Sequence, residues 1–85
     1  MDNIQTRLYQ ISQLEDNWDG YEAKKIPVQV IDKAWDIYKL MNFDIEPHIT
    51  PTGRESIQFE WESSDTGYVE LEVFEDQVSV YGDKS

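Results

Sequence analysis

The sequence predicts an α+β fold in which two N-terminal helices pack on a three-stranded antiparallel β-meander, in the order ααβββ. Two observations support this prediction. Apolar residues recur at helical spacing in the first half of the chain, and they alternate with polar residues in three runs of the last third. A chain of 85 residues is expected to form a single domain, residues 1–85. Because there is no cysteine, aromatic side chains must supply much of the core.

The first helix is predicted over residues 2–15. Ile4, Leu8, Ile11 and Leu14 follow one another at spacings of four, three and three, which places them on one apolar stripe. The stripe indicates a helix with one buried face.

The second helix is predicted over residues 28–42. Pro27 favours a helix entry because its φ is fixed and its missing N–H would have no partner there. The residues expected to face the core are Ile31, Ala34, Trp35, Tyr38 and Met41.

Between the helices, residues 16–21 read DNWDGY, which suggests a metal loop, a recognition site or a corner. In the EF-hand register that starts at Glu15, the twelfth position should be a bidentate glutamate, but it is Ile26. Asp, Asn and Gly are turn residues. We therefore predict a structural corner, with Trp18 and Tyr21 folded inward over the helices.

The last third of the chain alternates with period two over residues 57–62, 69–73 and 77–81, which predicts the three strands. Two prolines interrupt residues 45–53, so this segment is expected to be extended and irregular, or an edge strand.

A first hairpin that turns about Asp65 would place all of its acidic side chains on one outer face. In that register Glu60 lies opposite Glu70, Glu62 opposite Tyr68, and Glu72 opposite Gln58. The predicted partner-binding residues are Glu60, Glu62, Tyr68, Glu70 and Glu72.

The concentration of acidic side chains on this predicted outer side of the hairpin has three interpretations. From Glu55 to Asp83 the sequence contains no lysine or arginine. The acids can protect the sheet against edge pairing, hold a divalent ion, or meet a basic partner. Sheet carboxylates rarely enclose an ion without a loop, so the sequence favours the first and third interpretations about equally.

Net charge bears on the class of partner. Eighteen acidic and seven basic residues give a net charge of −11. Direct binding of nucleic acid or of an anionic membrane needs a basic patch, so neither is expected. An acidic protein is steered toward a basic protein partner. We also expect a cytoplasmic location, because the N-terminus lacks the pattern of a signal peptide and no apolar run is long enough to span a bilayer.

Motifs for catalysis are weak. His48 is the one histidine, no GxSxG elbow accompanies it, and the glycines form no phosphate-binding loop. We predict a protein that is not an enzyme, with no catalytic residue, no metal site and no cofactor.

Two stretches together resemble a group of small bacterial proteins. NWDGYEA, residues 17–23, followed by a proline and a helix, resembles that group's NWDGYGA-P corner. IQFEWE followed by VELEV is similar to its I-LEW…LEIEI hairpin. The resemblance implies a helix–helix–sheet fold and no established activity. This chain departs from the pattern at Glu22, where glycine is usual, and at Val28, where a Ser or Thr cap is common.

Two functions remain open at the level of sequence. The first is a small acidic, non-enzymatic protein-binding domain that covers a basic surface, such as an antitoxin, an immunity protein or an inhibitor. The alternative is a structural or assembly domain that forms a homodimer through the last predicted strand, residues 77–81.

Overall fold

The computed structural model describes residues 3–41, 46–63 and 67–83. These residues form helices α1 (Asn3–Ser12) and α2 (Val28–Leu40), followed by strands β1 (His48–Pro51), β2 (Ile57–Ser63), β3 (Gly67–Val73) and β4 (Val78–Asp83). The strands pair antiparallel in the order β1-β2-β3-β4. The α+β class is therefore confirmed.

The prediction of three strands was wrong, because the described residues form four. The additional strand, β1, comes from the proline-containing segment and pairs with β2 through Ile49 and Phe59. An edge strand tolerates a residue without an N–H, and Pro51 stands at the end of this one. Burial of the Ile49 side chain anchors the short strand to the core.

The register of the β2–β3 hairpin is the predicted one. Glu60 pairs with Glu70 and Glu62 with Tyr68, while Phe59 and Leu71 meet on the buried side. The centre of the predicted turn, residues 64–66, lies outside the described residues. Helix α2 ends at Leu40, two residues before the predicted end, because the backbone of Met41 is extended.

Both helices bury an apolar stripe, with small differences from the prediction. Helix α1 ends at Ser12, three residues before the predicted end, and its Ile4, Leu8 and Ile11 are buried. In α2 the deepest contacts are made by Val30 and Ala34. The aromatic residues of the predicted stripe, with Ile31 and Met41, are only partly buried.

The DNWDGY segment forms a corner, as predicted. Side-chain oxygens cap its backbone amides: Asp19 accepts from the amides of residues 21 and 23, at 2.8 and 3.1 Å. Asn17 accepts from the amide of Glu22 at 2.8 Å. By accepting these hydrogen bonds, the polar side chains stabilise the turn.

The predicted burial of the corner's aromatic residues was half wrong. Tyr21 is 87% exposed. Trp18 is half-buried, and its indole N–H donates to the Lys24 carbonyl at 2.9 Å. Hydrogen bonds from backbone amides to the side chains of Asn17 and Asp19 stabilise the corner, so it does not require buried aromatic side chains.

The helices cover only part of the inner face of the sheet. Helix α1 packs on β1, and α2 packs on β2 and β3. On β4 the inner-facing side chains of Val78 and Val80 remain 38% and 67% exposed. The sheet therefore has one edge under the helices and one edge in solvent.

A candidate protein-binding face on the sheet

The centre of the outer face is a tyrosine between two carboxylates. The Tyr68 hydroxyl lies within hydrogen-bond distance of the Glu70 carboxylate, at 2.7 Å, and also of the Glu60 carboxylate. Because a phenol has one proton, it cannot make a full hydrogen bond to both. The cross-strand pairing of Glu60 with Glu70 thus brings together two like charges that share the Tyr68 hydroxyl as a donor.

These carboxylates strongly disfavour loss of the tyrosine proton. The hydrogen bonds to Glu60 and to Glu70, in that order, raise the pKa of Tyr68 far above its ordinary value. A phenolate here would be a third negative charge beside two others. Carboxylate oxygens outnumber the phenolic proton within this cluster, and carboxylates form their strongest hydrogen bonds with charged donors.

Glu62 extends this acidic surface along β2. It is exposed, and its register partner across the hairpin is Tyr68. The structure therefore brings Glu60, Glu62, Tyr68 and Glu70 into one patch on neighbouring strands.

Glu72 lies on the same face but is engaged within the protein. Its Oε2 accepts from Arg54 Nε at 2.9 Å and from the Ser56 hydroxyl at 2.5 Å. The Glu72 side chain is 19% exposed. Of the five predicted binding residues, Glu72 differs in that its charge is paired with an arginine of the same chain.

The ionic state of Glu72 follows from its partners. Partial burial alone would raise the pKa of Glu72, but the hydrogen bonds from Arg54 and Ser56, together with the Arg54 charge, outweigh it and lower the pKa. The carboxylate is therefore fixed in its charged form.

Sequence reasoning missed Arg54 and Ser56. Both lie before the first residue of β2, outside the part of the sequence whose alternation predicts a face. The sequence does not show that the β1–β2 turn folds back toward β3, where Arg54 meets Glu72.

Tyr81 is a further residue of this face that the sequence did not single out. It pairs with Glu70 and is 77% exposed. An open groove of about 380 Å³ lies between Tyr68, Glu70 and Tyr81. A second groove of about 220 Å³ is bordered by Glu70, Tyr81 and Ser79. We call Glu60, Glu62, Tyr68, Glu70 and Tyr81 together the acidic face.

His48 is exposed on β1 and pairs with Glu60 of β2, so it stands beside the acidic face. It borders an open groove of about 320 Å³ together with Arg7 and Glu46. Arg7 Nε donates to the Ile49 carbonyl at 2.9 Å, which ties α1 to β1. Among the described residues, no three His, Cys, Asp or Glu side chains are grouped as a metal ion would need.

Comparison of the chain with known protein families, with curated proteins and with solved structures finds no match. Neither of the described helices is both long enough and apolar enough to cross a lipid bilayer.

Proposed function

We propose that this protein is a small acidic, non-enzymatic binding domain whose acidic face covers a basic surface on another protein. The observation that carries the proposal is the cluster of Glu60, Tyr68 and Glu70, where two carboxylates share one phenolic proton. A lysine or arginine of a partner supplies charged donors to these carboxylates. The grooves on either side of Tyr81 give such a side chain a place to lie, with the ring available for a cation–π contact.

Antitoxins, immunity proteins and inhibitors of nucleic-acid enzymes are the usual forms of such a domain. The net charge of −11 favours this class because it steers the protein toward basic partners. The same charge argues against direct contact with nucleic acid or with an anionic membrane. A cytoplasmic setting belongs to the proposal.

A capture experiment from the native host tests the proposal. The bait is the wild-type protein or a face variant with Glu60→Gln, Glu62→Gln and Glu70→Gln. Gln keeps an oxygen that can accept from Tyr68, so the fold is retained and cross-strand repulsion is relieved. Glu72 is left unchanged because it is bonded to Arg54.

The matched control is an off-face variant with Glu15→Gln, Glu22→Gln and Asp32→Asn. These three residues are exposed and lie outside the sheet, so the change in net charge is identical. Recovery of one basic protein by the wild type and the off-face variant, but not by the face variant, supports the proposal. Equal recovery by the face variant moves the interface off this face.

The second candidate function is an assembly domain that forms a homodimer through β4. The observation in its favour is the open edge of that strand, which within the described residues pairs with β3 alone. Sedimentation over a range of protein concentrations distinguishes the two functions, since only the assembly domain is dimeric without a partner.

A further inference from the structure

The two edges of the sheet differ in their protection. Strand β1 has four residues, ends at Pro51 and is covered by α1, whose Arg7 donates to the Ile49 carbonyl. Short length, proline and a covering element are the usual devices that prevent an edge from pairing with another chain. Strand β4 has six residues, VSVYGD, and its sequence contains no proline and no lysine.

The backbone groups on the open side of β4 can be identified from the hairpin. The amide of Phe74 donates to the carbonyl of Gln77 at 2.8 Å, so these two residues form a hydrogen-bonded pair. In an antiparallel ladder such pairs alternate along the strand. With the observed register, Ser79 and Tyr81 bond to β3, whereas Val78, Val80 and Gly82 direct their N–H and C=O groups away from it.

The two surfaces that flank this edge differ in chemistry. Val78 and Val80 lie opposite Val73 and Leu71, on the inner side of the sheet, and remain partly or largely exposed. Tyr81 lies opposite Glu70 on the outer side, within the acidic face. A strand added to β4 would therefore meet an apolar surface on one side and a negative surface on the other.

We propose that β4 is a docking edge for an extended segment of the partner in which basic and apolar residues alternate. This inference rests on the proposed function and specifies how the partner binds: the segment adds a fifth strand beside β4 in the β-augmentation mode. Its backbone pairs with Val78, Val80 and Gly82. Its basic side chains project to the acidic face, and its apolar side chains cover the two valines.

Charge decides between this occupant and a second copy of the chain. A β4–β4 pair would bring together two molecules that each carry a net charge of −11, and would place both acidic faces on one continuous sheet. A net charge this far from zero opposes self-association. A basic strand removes that repulsion, and its outer side chains lie beside Tyr81, on the far side of which is Glu70.

A titration followed by NMR tests the proposal with a defined probe. The probe is the capped heptapeptide Lys-Val-Lys-Val-Lys-Val-Lys, and its charge-reversed control replaces each lysine by glutamate. We expect saturable binding of the lysine peptide only, with downfield shifts and slower hydrogen exchange at the amides of Val78, Val80 and Gly82. Ser79 and Tyr81 are already bonded to β3, so the exchange of their amides should change little.

A pair of variants isolates the backbone contribution. Val80→Pro removes an amide proton that points away from β3, which leaves the β3–β4 ladder intact. Val80→Ala keeps that proton and removes the two methyl groups, so it reports the loss of the valine's apolar contact alone. We expect Val80→Pro to weaken peptide binding about tenfold relative to Val80→Ala, through loss of a hydrogen bond and obstruction of the edge. If Val80→Pro unfolds the protein, the assignment of free amides is wrong and the proposal fails.

Each of the other outcomes is also decisive. Shifts confined to the acidic face, with Val80→Pro binding as well as Val80→Ala, overturn the docking edge and leave the proposed function standing. Equal binding of the glutamate peptide would show that charge does not contribute to recognition, and it would overturn the proposal. Protection of the same amides by self-association without peptide assigns the edge to a second copy instead. If neither peptide binds at millimolar concentration, the docking edge is rejected, and the proposed function is decided by the capture experiment.

Discussion

Glu22 holds a backbone conformation that glycine adopts at lower cost. Its φ is +66°, in the left-handed region, and its amide donates to the Asn17 side chain. A side chain in this region costs about 1–2 kcal/mol, so glycine is favoured at this position.

We expect Glu22→Gly to raise the free energy of unfolding by up to about 1 kcal/mol, because relief of the left-handed conformation exceeds the greater chain entropy of glycine in the unfolded state. Urea denaturation measures the change. Glu22→Ala is the control: it removes the same charge but keeps the strain, and should bring no comparable gain. Equal stability of the two variants would show that φ at residue 22 carries no cost.

At the scale of elements, the Arg54–Glu72–Ser56 contact ties the β1–β2 turn to β3. Ser56 is buried, and its hydroxyl also lies 2.5 Å from the Thr52 hydroxyl. The contact is formed by a turn whose Glu55 has a φ of +59°. It therefore positions the turn and at the same time removes one acid from the charge of the outer face.

We expect Glu72→Gln to lower the free energy of unfolding at neutral pH by about 1 kcal/mol, the scale of a partly exposed charge-assisted hydrogen bond. The pKa of Glu72 is lowered in the folded protein, so the ionised group contributes stability above its unfolded pKa. That contribution is lost as the pH falls through the folded pKa. The difference between the wild type and the variant should accordingly vanish in acid.

Denaturation curves at neutral pH and in acid check this prediction. The control is Glu75→Gln in the exposed β3–β4 turn, which changes the same charge without breaking the Arg54 contact. A Glu72→Gln effect that is the same at both pH values would mean that packing, not ionisation, accounts for it.

Elements dominated by local patterning were predictable from the sequence. Period-two alternation determined the β2–β3 register, because one face of the hairpin had to be buried and a slip of one residue would expose Phe59 and Leu71. The apolar stripe of α1 followed in the same way. Both are consequences of residues close together in the chain.

Features that depend on distant contacts were predictable only in part. For residues 45–53 the sequence left an irregular segment and an edge strand open, and burial of Ile49 beside Phe59 decides for the strand. The exposure of Tyr21 depends on where the helices end, and the Arg54 contact depends on how a turn folds. The place of Tyr81 on the acidic face follows from the β3–β4 register, which pairs it with Glu70.

At the scale of the whole molecule, the fold separates two surfaces. The helices pack on the inner face of the sheet, over β1, β2 and β3. Strand β4 and the outer face of the sheet are left exposed to solvent. The exposed aromatic residues Tyr68 and Tyr81 lie on that outer face among carboxylates. In protein–protein interfaces tyrosine is enriched and often contributes much of the binding energy, whereas lysine is depleted.

The central claim is that the acidic face, and not net charge alone, recruits a basic protein. The most direct test is the association rate constant with the partner recovered by capture, measured by stopped-flow at low and at physiological salt. Electrostatic steering raises association rates by about 10- to 1000-fold and is screened by salt. We predict that the face variant associates about tenfold more slowly than the wild type at low salt and depends less on salt, whereas the off-face variant retains most of the wild-type rate. Equal slowing of both variants would contradict the claim, because it would mean that the partner responds only to total charge.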